Sequence, residues 1–296
     1  MDWIQHLLDA HPYIRLFRGR IFVVKVSGSL LLDENHRTEL ARDIALLQDV
    51  GIRTVVVHGG GPQLDAFCEK MGIAREVVAG RRLTNAETQQ LARMTFRGLI
   101  NTALVGALSA QGAVAVGLSG GDGNLITGIK RPPRPIRDPS TGEEKTVDFG
   151  YVGDIQKIDR TLIDSLMALQ MIPVICPLIA GPDGILLNVN ADTVAARLAM
   201  ALEAEKLIFC TAVPGLLEDA KDPRRLVSYG DLDTVEELIS RGVVSGGMLP
   251  KLAAVGDALR GGVRKVHLID GNRPHSLLLE IFTNEGCGTM LVKKRE

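Results

Sequence analysis

Lys25 interrupts an apolar run, Ile21-Phe-Val-Val-Lys-Val26, and a turn of small residues, Ser27-Gly28-Ser29, follows it. A strand buried in a parallel sheet has this continuous β-branched and aromatic character, and ligands of open α/β sheets bind beyond the strands' carboxyl ends. A lysine beside a small-residue turn at that edge can neutralise and cradle an anion. The pattern recurs along the chain. Thr54-Val-Val-Val57 runs into His58-Gly-Gly-Gly-Pro-Gln63, where three successive glycines weaken any regular element and instead let backbone approach a ligand closely. Ala113–Leu118 leads into the Gly-rich loop Ser119–Gly123. Asn188, Asn190 and Asp192 alternate at the start of a further helix; one cap needs one such side chain, so three point to a polar site. Arg82, just before the capping-box pattern Thr84-Asn-Ala-Glu87, is either solvated or aimed at an acidic ligand.

The elements that must position these residues alternate from end to end. Helical periodicity covers 36–51, 64–71, 84–111, 159–170, 191–203 and the segment after Ser245, and a short helix spans Ser276–Phe282. Strand-like runs lie between them, at 172–178, 206–210, 265–270 and 289–292 among others. The pattern predicts an α/β fold with a largely parallel central sheet. Residues 2–18 read as an amphipathic helix broken or kinked at His11-Pro12, whose apolar face needs a partner. Lys130 to Val147 is polar and proline-rich and reads as an exposed hairpin or loop.

Composition excludes several classes. The 296 residues carry a net charge of -1, so no global field favours nucleic acid or an acidic membrane, and 4% aromatics disfavour a base-stacking platform. Cys68, Cys176, Cys210 and Cys287 are far apart, and no C-x-x-C pair offers a zinc site. No apolar stretch reaches the roughly 18 residues a membrane span needs, and no secretory signal is visible, so a cytoplasmic location is expected. Neither G-x-x-x-x-G-K-[ST] nor G-x-G-x-x-G is present, so any phosphate site is built from other loops.

The constellation resembles the amino acid kinase family, in the branch whose acceptor is N-acetyl-L-glutamate. The resemblance rests on Lys25-Val-Ser-Gly28, His58–Gln63, Arg82-Leu-Thr84, Gly117–Gly123, Phe149–Asp154, Asn188–Asp192, Gly246–Lys251, His275–Phe282 and Gly288–Met290, in the family's order over roughly 20–292. It implies a three-layer α/β/α sandwich with an N-terminal arm (1–20), an acceptor lobe (21–185) and an ATP lobe (186–296). It implies transfer of the γ-phosphoryl group of ATP, with Mg²⁺ carried on the nucleotide, to the γ-carboxylate of N-acetylglutamate in arginine biosynthesis. By motif, Gly60, Gly61, Arg82, Asn188 and Asn190 would hold the acceptor, Lys25 and Lys251 would flank the transferring phosphoryl, and Asp192 would orient both lysines. Gly28, Thr211, Gly215, Leu216, Gly246 and Met248 would touch ATP, and no protein side chains would be dedicated to a metal.

A carboxylate is a competent nucleophile at neutral pH, so this chemistry needs no general base; it needs positioning and charge neutralisation. Ser27 departs from the family, which usually carries glycine there. The N-terminal segment, with His11-Pro-Tyr-Ile14 and Phe17-Arg-Gly19, resembles the mobile kinked helix that interlaces dimers into hexamers in arginine-sensitive members. That likeness implies a homo-oligomer, dimer or hexamer, and an L-arginine inhibitor site at Tyr13, His267, Glu280 and Gly286. The alternatives are a kinase of carrier-linked aminoadipate and a non-catalytic arginine-binding module such as the one that precedes an acetyltransferase domain in acetylglutamate synthases; the chain's end at Glu296 and its two lysines favour a free-standing enzyme.

Overall fold

A computed structural model describes residues 2–78, 81–137, 144–219, 222 and 224–294. Helix α1 (Asp2–Phe17) precedes β1 (Ile21–Val26), α2 (Glu34–Asp49), β2 (Arg53–His58) and α3 (Gly61–Lys70). A short pair, β3 (Val77–Val78) and β4 (Arg81–Arg82), leads to α4 (Ala86–Arg93), which continues through a π-helical segment (Met94–Ile100) into α5 (Asn101–Ala110). Then come β5 (Ala115–Ser119), β6 (Ile126–Lys130), the hairpin β7 (Arg134–Arg137) and β8 (Glu144–Val147), β9 (Gly153–Ile158), α6 (Thr161–Ala168), β10 (Ile172–Cys176), β11 (Leu178–Ala180) and β12 (Leu186–Asn188). The last third holds α7 (Ala191–Ala201), β13 (Lys206–Thr211), β14 (Tyr229–Asp231), α8 (Leu232–Ser240), α9 (Met248–Arg260), β15 (Lys265–Asp270), α10 (Ser276–Phe282) and β16 (Thr289–Val292).

The main sheet has the order β14-β16-β15-β13-β1-β2-β10-β5, parallel throughout except where β16 runs against β15. Its central strands are apolar along their length because both faces are covered. Val23, Val55, Val57, Ile175, Leu207 and Phe209 pack under α6, α7 and α9, while Phe22, Val24, Val56, Val174 and Ile208 pack under α2, α5 and α10. This is the expected three-layer sandwich. Full burial of each such side chain contributes about 1.5–3 kcal/mol. Side chains alternate between faces along a strand, so Lys25 shares the face of Val23 and lies beneath α7 and α9.

The acceptor and ATP portions expected from sequence share this one sheet, with β1 and β13 side by side in register from Phe22–Lys206 to Val26–Cys210. The division expected at 185 falls within a connection, yet β12 just after it pairs antiparallel with β11 in a second sheet that also holds β6 and β9.

Four local expectations change. Of the break or kink expected at His11-Pro12, a break is ruled out: helix α1 runs on through Pro12. A mid-helix proline costs ~3 kcal/mol; the helix tolerates it where Tyr13 stacks on Phe17 (6.3 Å between centroids) and Phe17 meets Phe22 edge-on at 5.2 Å. The cap of α4 is Asn85, whose side chain accepts from Thr88 N at 2.8 Å, and not Thr84, which is drawn into a bridge with Gly150. The long helix after that cap is divided by its π segment. The run 172–178 is two strands, because Pro177 has no N–H to continue the ladder and β11 turns to the second sheet.

Candidate active site

Three buried charges converge where β1, α7 and α9 meet. Lys25 Nζ lies 2.7 Å from Asp192 Oδ1, and Lys251 Nζ lies 3.1 Å from both Asp192 oxygens. Lys25, Asp192 and Lys251 are 6%, 7% and 8% exposed. Two ammonium groups on one carboxylate leave a net positive centre in a low-dielectric setting, where a further anion is strongly attracted. Burial, with the neighbouring Lys25 ammonium, pulls Lys251 down to about 8 against the pull of Asp192. Burial alone would raise Asp192; Lys25 and then Lys251 reverse that and hold its carboxyl below the usual range. Asp192 is placed by its helix: Asn190 caps α7, its side-chain oxygen accepting from Asp192 N at 2.7 Å and Thr193 N at 3.3 Å. Asp192 thus stands in the first helical turn, where a negative charge is favoured.

A 340 Å³ cavity opens beside this centre. Its walls include Lys25, the turn Ser27-Gly28-Ser29, the loop Gly59-Gly60-Gly61, Arg82, Phe96, Asn188, Asn190 and Asp192. The turn after β1 and the loop after β2 are locked back to back. A Cβ on Gly28 would sit 2.8 Å from Gly60 N, Gln63 Nε2 donates to Gly28 O at 2.7 Å, and Gly59 N donates to Val26 O at 2.8 Å. Gly60 is also pressed from behind, since a Cβ on it would come within 2.5 Å of Ile100 and 2.7 Å of Phe96. Helix α3 starts in this loop, and its first-turn amides, which have no partner within the helix, suit an anion. Ser27 in place of the family's glycine keeps extended backbone (φ -68°, ψ 140°) and sets its hydroxyl 3.4 Å from Lys25 Nζ.

The acceptor residues expected from sequence therefore gather on one cavity, with two qualifications. Arg82 is ion-paired to Asp65 of α3, a partner shared with Arg75 at 3.4 Å. The Asn190 oxygen is committed to the α7 cap, while Asn188 donates to Thr84 Oγ1 at 3.4 Å. Of the residues expected to touch ATP, Gly28 lines this cavity. Thr211 ends β13 and Met248 starts α9 just after Gly246, so they lie at the same sheet edge but outside the cavity wall. The Leu216 side chain is core, and Gly215 (φ 147°) lies so close to Thr289 that a Cβ would meet its hydroxyl at 2.5 Å. That loop offers backbone rather than side chains.

The sequence profile of the amino acid kinase family matches residues 20–270. The chain belongs to that family. Among its relatives, the acetylglutamate kinase of Myxococcus xanthus (strain DK1622) is 47% identical over 288 residues, covering 97% of this chain and 94% of the relative. That of Methanothermobacter thermautotrophicus is 43% identical over 293 residues, covering 99% and 100%. Among solved structures, N-acetylglutamate synthase from Neisseria gonorrhoeae complexed with coenzyme A and N-acetyl-glutamate superposes with a TM-score of 0.84 at 27% identity. The match covers 99% of this chain and 64% of the synthase, so this chain spans under two thirds of that protein. The same synthase complexed with coenzyme A and L-arginine gives 0.82 at 25% identity, covering 98% of this chain and 65% of that one.

This amino acid kinase has a second buried polar cluster, at the corner of α1, β15 and α10. His267 Nδ1 lies 2.6 Å from Glu280 Oε1, and Lys206 Nζ lies 2.9 Å from His267 Nε2. Glu280 Oε2 accepts from Cys287 N at 2.7 Å and Gly288 N at 3.0 Å. A Cβ on Gly286 (φ 63°) would crowd that oxygen at 2.8 Å, and the Tyr13 hydroxyl donates to Asn284 nearby. The structure thus brings Tyr13, His267, Glu280 and Gly286 to one corner. Lys206, which also lies over the Phe17 ring at 5.1 Å, is a member the sequence did not reveal. Asp65 was equally hidden: each is a charge whose partner is supplied by a distant segment, and neither stands in a recognisable motif. Among the described residues no three His, Cys, Asp or Glu side chains gather as a metal cage, and the Asp192 carboxylate is held by two ammonium groups.

Proposed function

We propose that this chain is an acetylglutamate kinase, transferring the γ-phosphoryl group of ATP to the γ-carboxylate of N-acetyl-L-glutamate. Identities of 42–47% to acetylglutamate kinases over nearly the whole chain support the substrate pair. The observation that carries the chemistry is the Lys25–Asp192–Lys251 centre at the edge of the glycine-walled cavity. The reaction brings a carboxylate up to a triphosphate, so its barrier is dominated by repulsion and alignment. Two lysines fixed by one carboxylate neutralise the transferring group without reorganising as it moves. The loop Gly59–Gly61 and Arg82 hold the acceptor, Arg82 exchanging or sharing its Asp65 partner with the substrate's α-carboxylate in bidentate fashion. Gly28, the Thr211–Leu216 loop, Gly246 and Met248 hold ATP, whose Mg²⁺ enters as part of the nucleotide substrate. In this reading 21–185 serves the acceptor and 186–296 the nucleotide, on one shared sheet, in a cytoplasmic enzyme.

The corner at Tyr13, Lys206, His267, Glu280 and Gly286 is the proposed L-arginine site. Glu280 offers a carboxylate to a guanidinium or amino group, and Lys206 a cation to the ligand's carboxylate. Helix α1 presents Ile4, Leu8 and Leu16 to solvent at 47%, 59% and 61% exposure, an apolar face suited to a second copy of the chain in a homo-oligomer. The test is ATP consumption by the purified protein with N-acetylglutamate, with a carrier-linked aminoadipate as rival acceptor, repeated with arginine. Turnover only with N-acetylglutamate, reduced by arginine, is expected. Turnover with neither acceptor would leave a non-catalytic arginine-binding module.

A further inference from the structure

Behind the glycine loop runs a chain of buried polar groups that the phosphoryl-transfer chemistry does not use. His58 closes β2 with its imidazole fully buried. Its Nδ1 lies 2.9 Å from the Gly59 carbonyl, an oxygen that can only accept, so this nitrogen carries the proton. Its Nε2 lies 3.1 Å from Asn101 Nδ2, and that same amide donates to the Val174 carbonyl at 2.9 Å. Arg97 donates to Asn101 Oδ1 at 3.1 Å. Turning the Asn101 amide over would set oxygen against the Val174 carbonyl and its NH₂ against the guanidinium, so its orientation is fixed from both ends. Through Asn101, the tautomer of His58 is fixed as well.

The surroundings are shaped to admit this chain. Gly117 leaves the space in which Asn101 Oδ1 sits; a Cβ there would collide with it. Asn101 follows directly on the π segment Met94–Ile100, the same segment that presses Phe96 and Ile100 onto Gly60. A π turn shifts the register of a helix, and such turns recur at functional sites. Here the shift delivers two contacts at once, apolar on Gly60 and polar on His58. The Gly59–Gly60 peptide is planar and trans, so a carbonyl held towards the imidazole directs the Gly60 N–H away from it.

We infer that His58 and Asn101 are positioning residues for the acceptor loop: the Asn101 amide holds the imidazole as its Nδ1–H tautomer, and that N–H sets the Gly59–Gly60 peptide facing the cavity. The inference rests on the reading of this loop as the acceptor's cradle. The charged groups facing His58 are Lys25 from β1 and Arg97 from the π segment, while β10 contributes the uncharged Val174 carbonyl. Burial, with those two cations, keeps the imidazole neutral down to about pH 4.

The tests use the full chain. Nitrogen-15 NMR of the imidazole in the unaltered protein reads the tautomer without any substrate; Nδ1–H is expected, and Nε2–H would overturn the inference. Asn101→Leu leaves Nε2 without its donor, and the expected result is an acceptor KM raised about tenfold with the KM for ATP unchanged. An equal fall in kcat with both KM values unchanged, the mark of a merely structural loss, would overturn it. Asn101→Asp supplies a carboxylate to Nε2. At low pH the imidazolium donates from both nitrogens and the loop is held. At higher pH the one remaining proton goes to the carboxylate side, and the Nδ1 lone pair faces the Gly59 carbonyl. The acceptor KM of this variant is therefore expected to lie near that of the unaltered protein at pH 6 and to rise with pH, and a pH-independent value would count against the coupling. An unaltered protein with the Nδ1–H signal but no turnover with N-acetylglutamate overturns the acceptor reading, and the positioning role with it, while the hydrogen-bond chain stands.

Discussion

Lys251 is the residue whose protonation state the site depends on. Its ammonium is pulled down to about 8 by burial and by Lys25, so the free enzyme loses this charge within an accessible pH range. The charged form is the useful one, hence kcat/KM, which reports the free enzyme, should fall on an alkaline limb near pH 8. Bound triphosphate favours the ammonium, so the limb in kcat should move to higher pH. Lys251→Arg keeps its charge at every accessible pH and should lose the limb even where its rate is lower; a limb that persists near pH 8 in this variant assigns it to another group. Lys251→Met should lower kcat by about 10²–10³, the loss of one preorganised donor worth about 3–4 kcal/mol in the transition state. The two halves of this centre were not equally legible in sequence. Lys25 and the glycine turns follow from a local rule, an apolar strand that ends in small residues. Asp192 is legible as part of a polar site through its alternation with Asn188 and Asn190, but its meeting with Lys251 across 59 positions follows from resemblance alone. Asp65 and Lys206 carry no local signature, because each becomes informative only through Arg82 or His267 beside it.

The elements were legible where one local preference decides them and obscure where packing does. Helix α10 and strand β15 have the bounds that periodicity gave them. Pro12 reads as a break or a kink, and α1 continues past it with Tyr13, Phe17 and Phe22 holding its last turn on the body of the protein. The π segment could not have been read at all, since residues 84–111 show ordinary helical periodicity and the extra residue per turn is fixed by what lies beneath. Its consequence is tested at Gly60. Gly60 is crowded from behind by Ile100 and Phe96 of that segment, which leaves no room for a side chain. Gly60→Ala would put a methyl group 2.5 Å from Ile100 and 2.7 Å from Phe96 and should destabilise the fold by about 1–3 kcal/mol. It should also raise the acceptor KM. Adding Ile100→Ala should recover part of both losses, read as a non-zero coupling in a double-mutant cycle of melting temperature and KM. Strictly additive effects would mean that the segment does not bear on the loop.

Across the whole molecule, β1 and β13 join the first and last thirds of the chain in one sheet, so charge buried on either side of it enters a common stability. His58 lies beneath the glycine loop and His267 at the α1–α10 corner, both fully buried, and burial pushes each imidazole down to about 4. An unfolded imidazole titrates near 6.5, so between about pH 6.5 and 4 the unfolded chain binds more protons than the folded one. Folding is then fully favoured by these groups above about pH 6.5 and loses stability as pH falls towards 4. The loss from each is about 3 kcal/mol across the window, and it stops below the folded value. Glu280 acts in the same sense lower on the scale: burial would raise its carboxyl, but His267 and the amides of Cys287 and Gly288 hold it below its ordinary value, so its contribution is lost only as pH falls through that lowered value. Urea midpoints measured from pH 7.5 to 4 should therefore fall steeply below about 6.5. His267→Gln, which keeps a polar contact but cannot take up a proton, should be less stable at pH 7.5 yet show a shallower slope between 6.5 and 4. A variant that reproduces the unaltered slope would place the acid lability outside this histidine.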